Sequence, residues 1–344
     1  MATYTATQNA DRRKRHAQHR FRVGLVLIAL AITAFIFTLI LGRSSTPPSE
    51  VMRVLLGDEV PGVSFTIGQL RLPRAILAVL AGASFGMAGA AFQIMLRNPL
   101  ASPDIIGISS GASAAAVFAI VILGMDGLGV SLLAVGFGLA TAVAVYGLSS
   151  RNGVAGPRLI LVGIAISAML ESVIAYVLAR APSWNLQEAL RWLTGSLNGA
   201  TVDQSLPLLV ALVLLGGLLC ASGRDLEALR LGDDTAAALG VPVAGTRIVV
   251  IVCAVGLVSI ATAVTGPIAF VAFLSGPIAA RLTGGSGQTL VPAALVGAFL
   301  VLAGDFVGQV LLPSRYPVGV VTGALGAPYL IYLIIRDNRT GGAA

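Results

Sequence analysis

The sequence is poor in charge and almost without lysine. Charged residues make up 11% of its 344 positions and Lys14 is the only lysine, whereas soluble domains carry about 25% charged residues. A chain that is 56% hydrophobic cannot hide its apolar surface in water behind so few charges. Without a second lysine there is no phosphate-binding loop of the form Gly-x4-Gly-Lys-Ser/Thr, so nucleotide hydrolysis is expected elsewhere. The only histidines, His16 and His19, lie in a basic tail, and the only cysteines, Cys220 and Cys253, stand alone in separate apolar segments. That distribution offers no metal cluster, redox pair or catalytic constellation. Neither a catalytic residue nor a cofactor is expected, and the cysteines read as packing residues.

What the chain has is long apolar runs. They extend over roughly 18 to 24 residues, enough for a helix rising 1.5 Å per residue to cross about 30 Å of hydrocarbon. Ten candidate spans follow in order: Phe21–Leu41, Arg74–Leu96, Ile105–Leu123, Gly129–Ser149, Leu159–Ala179, Leu206–Ala221, Ile248–Val264, Pro267–Leu282, Leu290–Leu312 and Val318–Ile335. Within them the 41 glycines and the many alanines let helices approach closely, which holds membrane bundles together. A transmembrane β-barrel would show shorter, alternating segments. The expected fold is an all-α polytopic membrane protein.

Basic residues gather in cytoplasmic loops. With the N-terminus inside, ten spans put 15 of the 22 Lys and Arg residues on the cytoplasmic side, and both termini are expected there. The organisation read from this is a basic cytoplasmic tail at 1–20, a membrane domain at 21–336 and a cytoplasmic C-terminal tail at 337–344. The first apolar segment is longer than a secretory h-region, and no small-residue cleavage site follows it. The run Arg12-Arg13-Lys14-Arg15 therefore reads as an orientation signal that touches anionic lipid, not as a nucleic-acid site.

Two loops are long. On the outer side, Arg180–Asp203 contains a helical rhythm with Trp184 and Trp192 suited to the membrane interface. On the inner side, 223–246 predicts a short helix ending at Gly232, then a second that starts at Asp233-Asp234 and stops at Gly240. Its apolar residues Leu229, Leu231 and Leu239 form either a surface connector or a knob that docks into a cytoplasmic partner. Another inner turn, Gln93 to Gly107, carries Pro99 and Pro103, which forbid a continuous helix, and Asn98 and Asp104, which can cap freed backbone groups. The following Gly107–Ala114 run serves close packing or lines a pore. Glu171 and Asp305 fall inside spans, where a lipid-exposed charge costs at least about 2.5 kcal/mol, so both are expected to face protein or water. Asp305 reads as a structural anchor.

Several motifs, in order, resemble those of the FecCD-type permeases: Arg71-Leu72-Pro73-Arg74, the Gln93–Gly107 stretch, Leu231-Gly232-Asp233 with Ala238-Leu239-Gly240, Gly266-Pro267-Ile268-Ala269-Phe270-Val271, and Pro317–Pro328. The resemblance implies a type II ABC importer permease of about ten helices with an inverted repeat of helices two to five and seven to ten. It implies a second permease subunit, identical or homologous, two cytoplasmic ATPase subunits and an extracytoplasmic solute-binding protein in a bacterial cytoplasmic membrane. It assigns ATPase coupling to Leu231, Gly232, Asp233, Asp234, Ala238, Leu239 and Gly240, and binding-protein docking to Arg71 and Arg74. It sets the cytoplasmic turn at Gln93, Arg97, Asn98 and Pro99, and aligns Gly156, Pro157 and Arg158 with an inner gate.

The chain departs from the family at Gln309, where cobalamin permeases carry a further docking arginine, at Arg315, which replaces an acid and could supply that charge, and after Pro277, where a polar side chain is replaced by Ile278. Similarity near 266–284 points to ferric siderophores of the enterobactin type, with cobalamin or haem as alternatives. An ion-coupled secondary transporter is the rival of another class, but it would need coupling-ion ligands near the midplane.

Overall fold

With no water in a bilayer to satisfy backbone groups, an apolar run must pair its N–H and C=O groups internally, and these runs do so as helices. The computed structural model describes residues 6–42, 45–104, 106–149, 156–284 and 287–341, excepting the side chains of 6–13, 156–157, 333–334 and 336–341. Among the described residues there is no strand, and each of the ten expected spans falls on a helix. The first span is Ala6–Ile40, the second Leu72–Leu96, the third Ile108–Val121, the fourth Gly127–Ser149 and the fifth Gly156–Ala179. The sixth, Val202–Ala221, precedes the seventh at Val243–Thr265, the eighth at Val271–Leu282, the ninth at Leu290–Phe306 and the tenth at Val318–Gly341. Seven are long and apolar enough to cross a membrane, while the third, eighth and tenth give shorter apolar stretches.

The first helix does not stop where the apolar run begins. It starts at Ala6, because the Arg, Lys, Gln and Ala residues of the tail are themselves good helix formers. Of the expected tails and loops, Arg43 and Arg151 lie outside the described residues. The third and eighth spans are short for a shared reason. Each follows an irregular stretch and starts from a left-handed residue, Gly107 at φ 89° and Phe270 at φ 64°.

The second span forms the axis of the bundle and is buried along nearly its whole length. Gly82, Gly86 and Gly89 explain its closeness to the ninth and eighth spans: a Cβ at these positions would strike the carbonyls of Gly297, Ala293 and Ala272. Gly297 returns the contact onto the carbonyl of Gly82. Such backbone approach is how small residues hold membrane helices together when lipid removes the hydrophobic drive.

At the end where the second span begins, three loops are knitted into one junction. Ser196 N–H donates to the Thr265 carbonyl (2.7 Å) and Gly319 N–H to that of Gly195 (3.1 Å). Gly195 and Gly266 admit no side chain, since each faces the backbone of the other's segment. The Gly266-Pro267 and Pro317-Val318-Gly319 motifs thus meet around Thr194–Ser196.

Candidate functional site

The two ends of the bundle carry different polar assemblies, and the residues singled out by sequence divide between them. At the end where the second span starts, Pro73 is preceded by a wide π-turn at Thr66–Arg71, and a second π-turn at Val307–Leu311 follows Asp305. These two turns flank a cavity of about 560 Å³ lined by Arg71, Arg74, Arg191, Arg315 and Asp305. Arg74 grips Asp305 bidentately, Nε to Oδ2 and Nη2 to Oδ1, both at 2.6 Å, and its Nη1 donates to Asn198 Oδ1 at 2.5 Å. The side chains are 15% and 3% exposed, so the pair is largely withdrawn from water.

Arg71 is also engaged within the chain. Its Nη1 donates to the carbonyls of Leu39 (2.7 Å) and Ile40 (3.1 Å), which the end of the first span leaves without helical partners. Arg191 and Arg315 are exposed on the cavity rim. Gln309 Nε2 donates to the Tyr316 carbonyl (3.3 Å), which holds the strand of chain bearing Arg315 against the ninth span. Arg191 and Asn198 were missed by sequence reasoning, because neither falls in a motif.

At the opposite end, the element between the sixth and seventh spans forms two short helices, Gly223–Leu229 and Asp233–Ala238. Gly232 (φ 105°) and Gly240 (φ 86°) end them, as their positions predict. The expected docking face needs one correction. Leu229 is fully buried in this chain's core, whereas Leu231 and Leu239 are 63% and 64% exposed. Leu229 closes the Gly223–Leu229 helix, which packs against the second span, whereas Leu231 lies in the turn beyond that helix and faces outward. Asp234 and Ala238 are exposed beside Leu239.

Asp233 anchors this element. Arg247 Nη2, at the start of the seventh span, donates to both its carboxylate oxygens (2.9 and 2.8 Å), and Arg97 Nη2 approaches at 3.6 Å. Arg97 ends the second span in a left-handed conformation (φ 52°), with Asn98 N–H donating back to the Gln93 carbonyl (3.1 Å). A non-glycine residue there costs about 1 kcal/mol or more. The long, exposed Arg97 contact offsets little of that, and the shorter Arg247 contact carries the anchor.

Gln93, Arg97, Asn98 and Pro99 come together around a cavity of about 270 Å³ that Pro277 also lines. Here Gln93 has a specific role. Pro277 lacks the N–H that would bond the Phe273 carbonyl four residues back, and Gln93 Nε2 donates to that carbonyl at 2.9 Å. Gly276 leaves room for this amide. The turn beyond is internally bonded: Leu100 N–H donates to Asn98 Oδ1 (2.9 Å), and Ser109 and Ser102 hydroxyls donate to the Asp104 carboxylate. Burial pushes the Asp104 carboxyl above the usual carboxylate range, against the lowering effect of the Ser109 and Ser102 hydrogen bonds.

Of the expected gate, Arg158 is exposed near the start of the fifth span, while the side chains of Gly156 and Pro157 lie outside the described residues. Glu171 is exposed on the same span, which is scarcely buried in this chain and packs against the third and fourth spans. No group of His, Cys, Asp and Glu that could hold a metal ion occurs among the described residues.

These features have relatives. The FecCD transport family model matches residues 29–336. The ferric enterobactin transport system permease protein FepG of Escherichia coli is 39% identical over 319 residues, covering 92% of this chain and 96% of its own. The achromobactin transport system permease protein CbrC of Dickeya dadantii is also 39% identical, over 323 residues and 92% of each chain. Among solved structures, an inward-facing metal-chelate type ABC transporter superposes with TM-score 0.80 at 28% identity, covering 92% of this chain and 99% of that one.

Proposed function

The chain belongs to the FecCD transport family, and we propose that it carries a ferric siderophore inward as one of two paired permeases in a bacterial cytoplasmic membrane. It is a multi-pass membrane permease of the ABC importer type and not itself an enzyme, since ATP hydrolysis belongs to a separate subunit. The observation that carries the coupling assignment is the pair Leu231 and Leu239, 63% and 64% exposed on a knob that Asp233 and Arg247 hold rigid outside the spans. Two large apolar side chains fixed in that position fit a groove on an ATPase subunit. Closure of two such ATPases would push on Leu231–Gly240, and Asp233 would pass the push to the seventh span through Arg247 and to the second through Arg97. Lys14, Arg15, Arg20, Arg22, Arg224, Arg230 and Arg247 all cluster at this end, which supports a cytoplasmic orientation for it and for both termini.

Glu171 supports a second permease. A carboxylate on the open face of a membrane span costs about 2.5 kcal/mol or more in lipid, so that face is covered by a partner helix or by the water of the pathway. The irregular stretches before the third and eighth spans, at opposite ends of the bundle, support an inverted repeat. At the Arg74 end, an extracytoplasmic solute-binding protein would dock over the cavity. With Arg71 capping the first span and Arg74 holding Asp305, its acidic groups would meet chiefly Arg191 and Arg315. The names of the relatives support an iron–siderophore cargo, with cobalamin or haem as alternatives.

The test is uptake by proteoliposomes holding the permease pair, its ATPase and its binding protein. Labelled ferric enterobactin and other ferric siderophores should enter only with internal-leaflet ATPase and ATP, and labelled cobalamin and haem should not. Uptake driven by a proton gradient without ATP would instead favour an ion-coupled transporter. Arg191→Glu with Arg315→Glu should weaken docking of the binding protein at least tenfold, and unchanged affinity would remove that assignment.

A further inference from the structure

A cavity of about 770 Å³ lies at the Arg97 end, between the first span, the Gly223–Leu229 helix and the start of the ninth span. None of the transport roles above uses it. Its polar mouth carries Arg20, Arg224 and Gln288, and its walls carry Phe21, Leu25 and Val291, all three of which are exposed. The Arg20 guanidinium lies against Gly287, in the place a Cβ there would occupy. A second, almost wholly apolar cavity of about 340 Å³ shares Ile28 and Leu295 with the first and continues along the first span past Ile32 and Phe35 to Ile76 and Val79 of the second. The two form one groove with a cationic head at the membrane surface and an apolar tail running toward the bilayer centre.

We propose that this groove is a specific binding site for an anionic phospholipid, its phosphate between Arg20 and Arg224 and one acyl chain along Leu25, Ile28, Leu295 and Phe35. Basic pockets between membrane helices are suited to phosphate head groups, and apolar grooves of this length are suited to acyl chains. The one acid at the mouth, Glu227, is shared between Arg230 and Arg20, and against Arg20, Arg224 and Arg230 it leaves the mouth with a net positive charge. Its Oε1 has no exposed surface, and its Oε2 is 3.3 Å from Arg230 Nε. The groove therefore shows a cationic face, which favours a net anionic head group over a zwitterionic one. Gly24 lines the cavity and a Cβ there would meet nothing within 4 Å, so the groove is open where an acyl chain would enter. The lipid would bridge the first span to the element that carries the coupling knob.

The experiment is native mass spectrometry of the full chain released from nanodiscs of phosphatidylglycerol, phosphatidylethanolamine or phosphatidylcholine. Phosphatidylglycerol should be retained at one copy per chain, and inorganic phosphate added to 10-fold excess should not displace it. Arg20→Gln or Arg224→Gln should each weaken retention about fivefold, and the pair roughly 20- to 30-fold. Gly24→Leu, which fills open space without straining the helix, should abolish retention while leaving the protein monodisperse and its melting temperature unchanged. Equal retention of phosphatidylcholine, displacement by phosphate, or retention unaffected by Gly24→Leu and by the double arginine variant would overturn the assignment.

Discussion

Replacing Arg74 by Ala removes the partner of a carboxylate that is 3% exposed and held by two hydrogen bonds of 2.6 Å. The Asp305 carboxylate sits at the floor of the cavity with little exposure of its own, and the packing of the ninth span on the second, where Gly82 and Gly297 are in backbone contact, limits how far its backbone can move toward solvent. Breaking one member of a buried pair costs about 3–5 kcal/mol, while exchanging both for apolar residues of similar volume is often neutral. Arg74→Ala and Asp305→Ala should therefore each lower stability by about 3–5 kcal/mol, two to four orders of magnitude in the folded-to-unfolded ratio. Arg74→Met with Asp305→Leu should cost far less than the sum of the two. Arg74→Lys keeps the charge but loses the fork, and should cost about 1.5–3 kcal/mol, the worth of one hydrogen bond to a charged group. Denaturant titrations in mixed micelles, followed by the fluorescence of Trp184 and Trp192, give these differences. Single variants each costing under about 1 kcal/mol, with additive effects, would show a solvent-screened contact. They would refute the reading that Arg74 is a structural residue first and a docking residue second.

Gln93→Leu should leave the Phe273 carbonyl without a donor and cost about 1–3 kcal/mol, seen as a lowered melting temperature; Gln93→Glu, which lacks the amide N–H, should not restore it. Gly82→Leu should prevent the second and ninth spans from closing on each other, so that little monodisperse protein is recovered by size-exclusion chromatography. Leu231→Asp with Leu239→Asp should leave the melting temperature within about 1 °C of the parent, since both side chains are exposed, yet abolish ATPase binding in a pull-down with the purified subunit. Because burial raises the Asp104 carboxyl, its stabilising share is fully present below the unfolded value of 3.8 and is lost as pH rises through the higher folded value; Asp104→Asn should flatten that decline in thermal melts between pH 4 and pH 8.

The spans were legible because a run of about 20 apolar residues has one stable form in a membrane. The element between the sixth and seventh spans was legible because its punctuation is chemical: Asp233 and Asp234 open a helix and Gly240 closes it. Its exposed apolar face was only half legible. Leu229 and Leu231 are two residues apart and share an apolar character, and only the end of the first short helix at Leu229, with that helix lying against the second span, decides that one is buried and the other exposed. The Arg74–Asp305 pair joins residues 231 apart in the chain, and no local pattern marks such a partnership. The basic motif reads as a docking pair, and the long-range contacts add to that reading that Arg74 holds an acid and Arg71 caps the first span. Gln93 left a clue that went unused. Pro277 inside a span frees a carbonyl at Phe273, and a buried amide on the facing helix is what such a carbonyl requires.

The distribution of these contacts constrains how a push at the knob can travel. Asp233 binds the knob to the seventh span, and through the weaker Arg97 contact to the second. The second span is tied to the eighth by Gln93, to the ninth by glycine backbone contacts, and again to the ninth, at its far end, by Arg74 and Asp305. Backbones in such close contact leave little room for large sliding, since a Cβ-sized gap is already filled by the facing carbonyl. The second, eighth and ninth spans, joined by these contacts, are therefore expected to move together when the knob is displaced. The fifth span lies outside these ties, held through the third and fourth and exposing Glu171 on its open face. Relative motion is then expected at the boundary between that face and whatever covers it, which is where a path between two permeases would open and close.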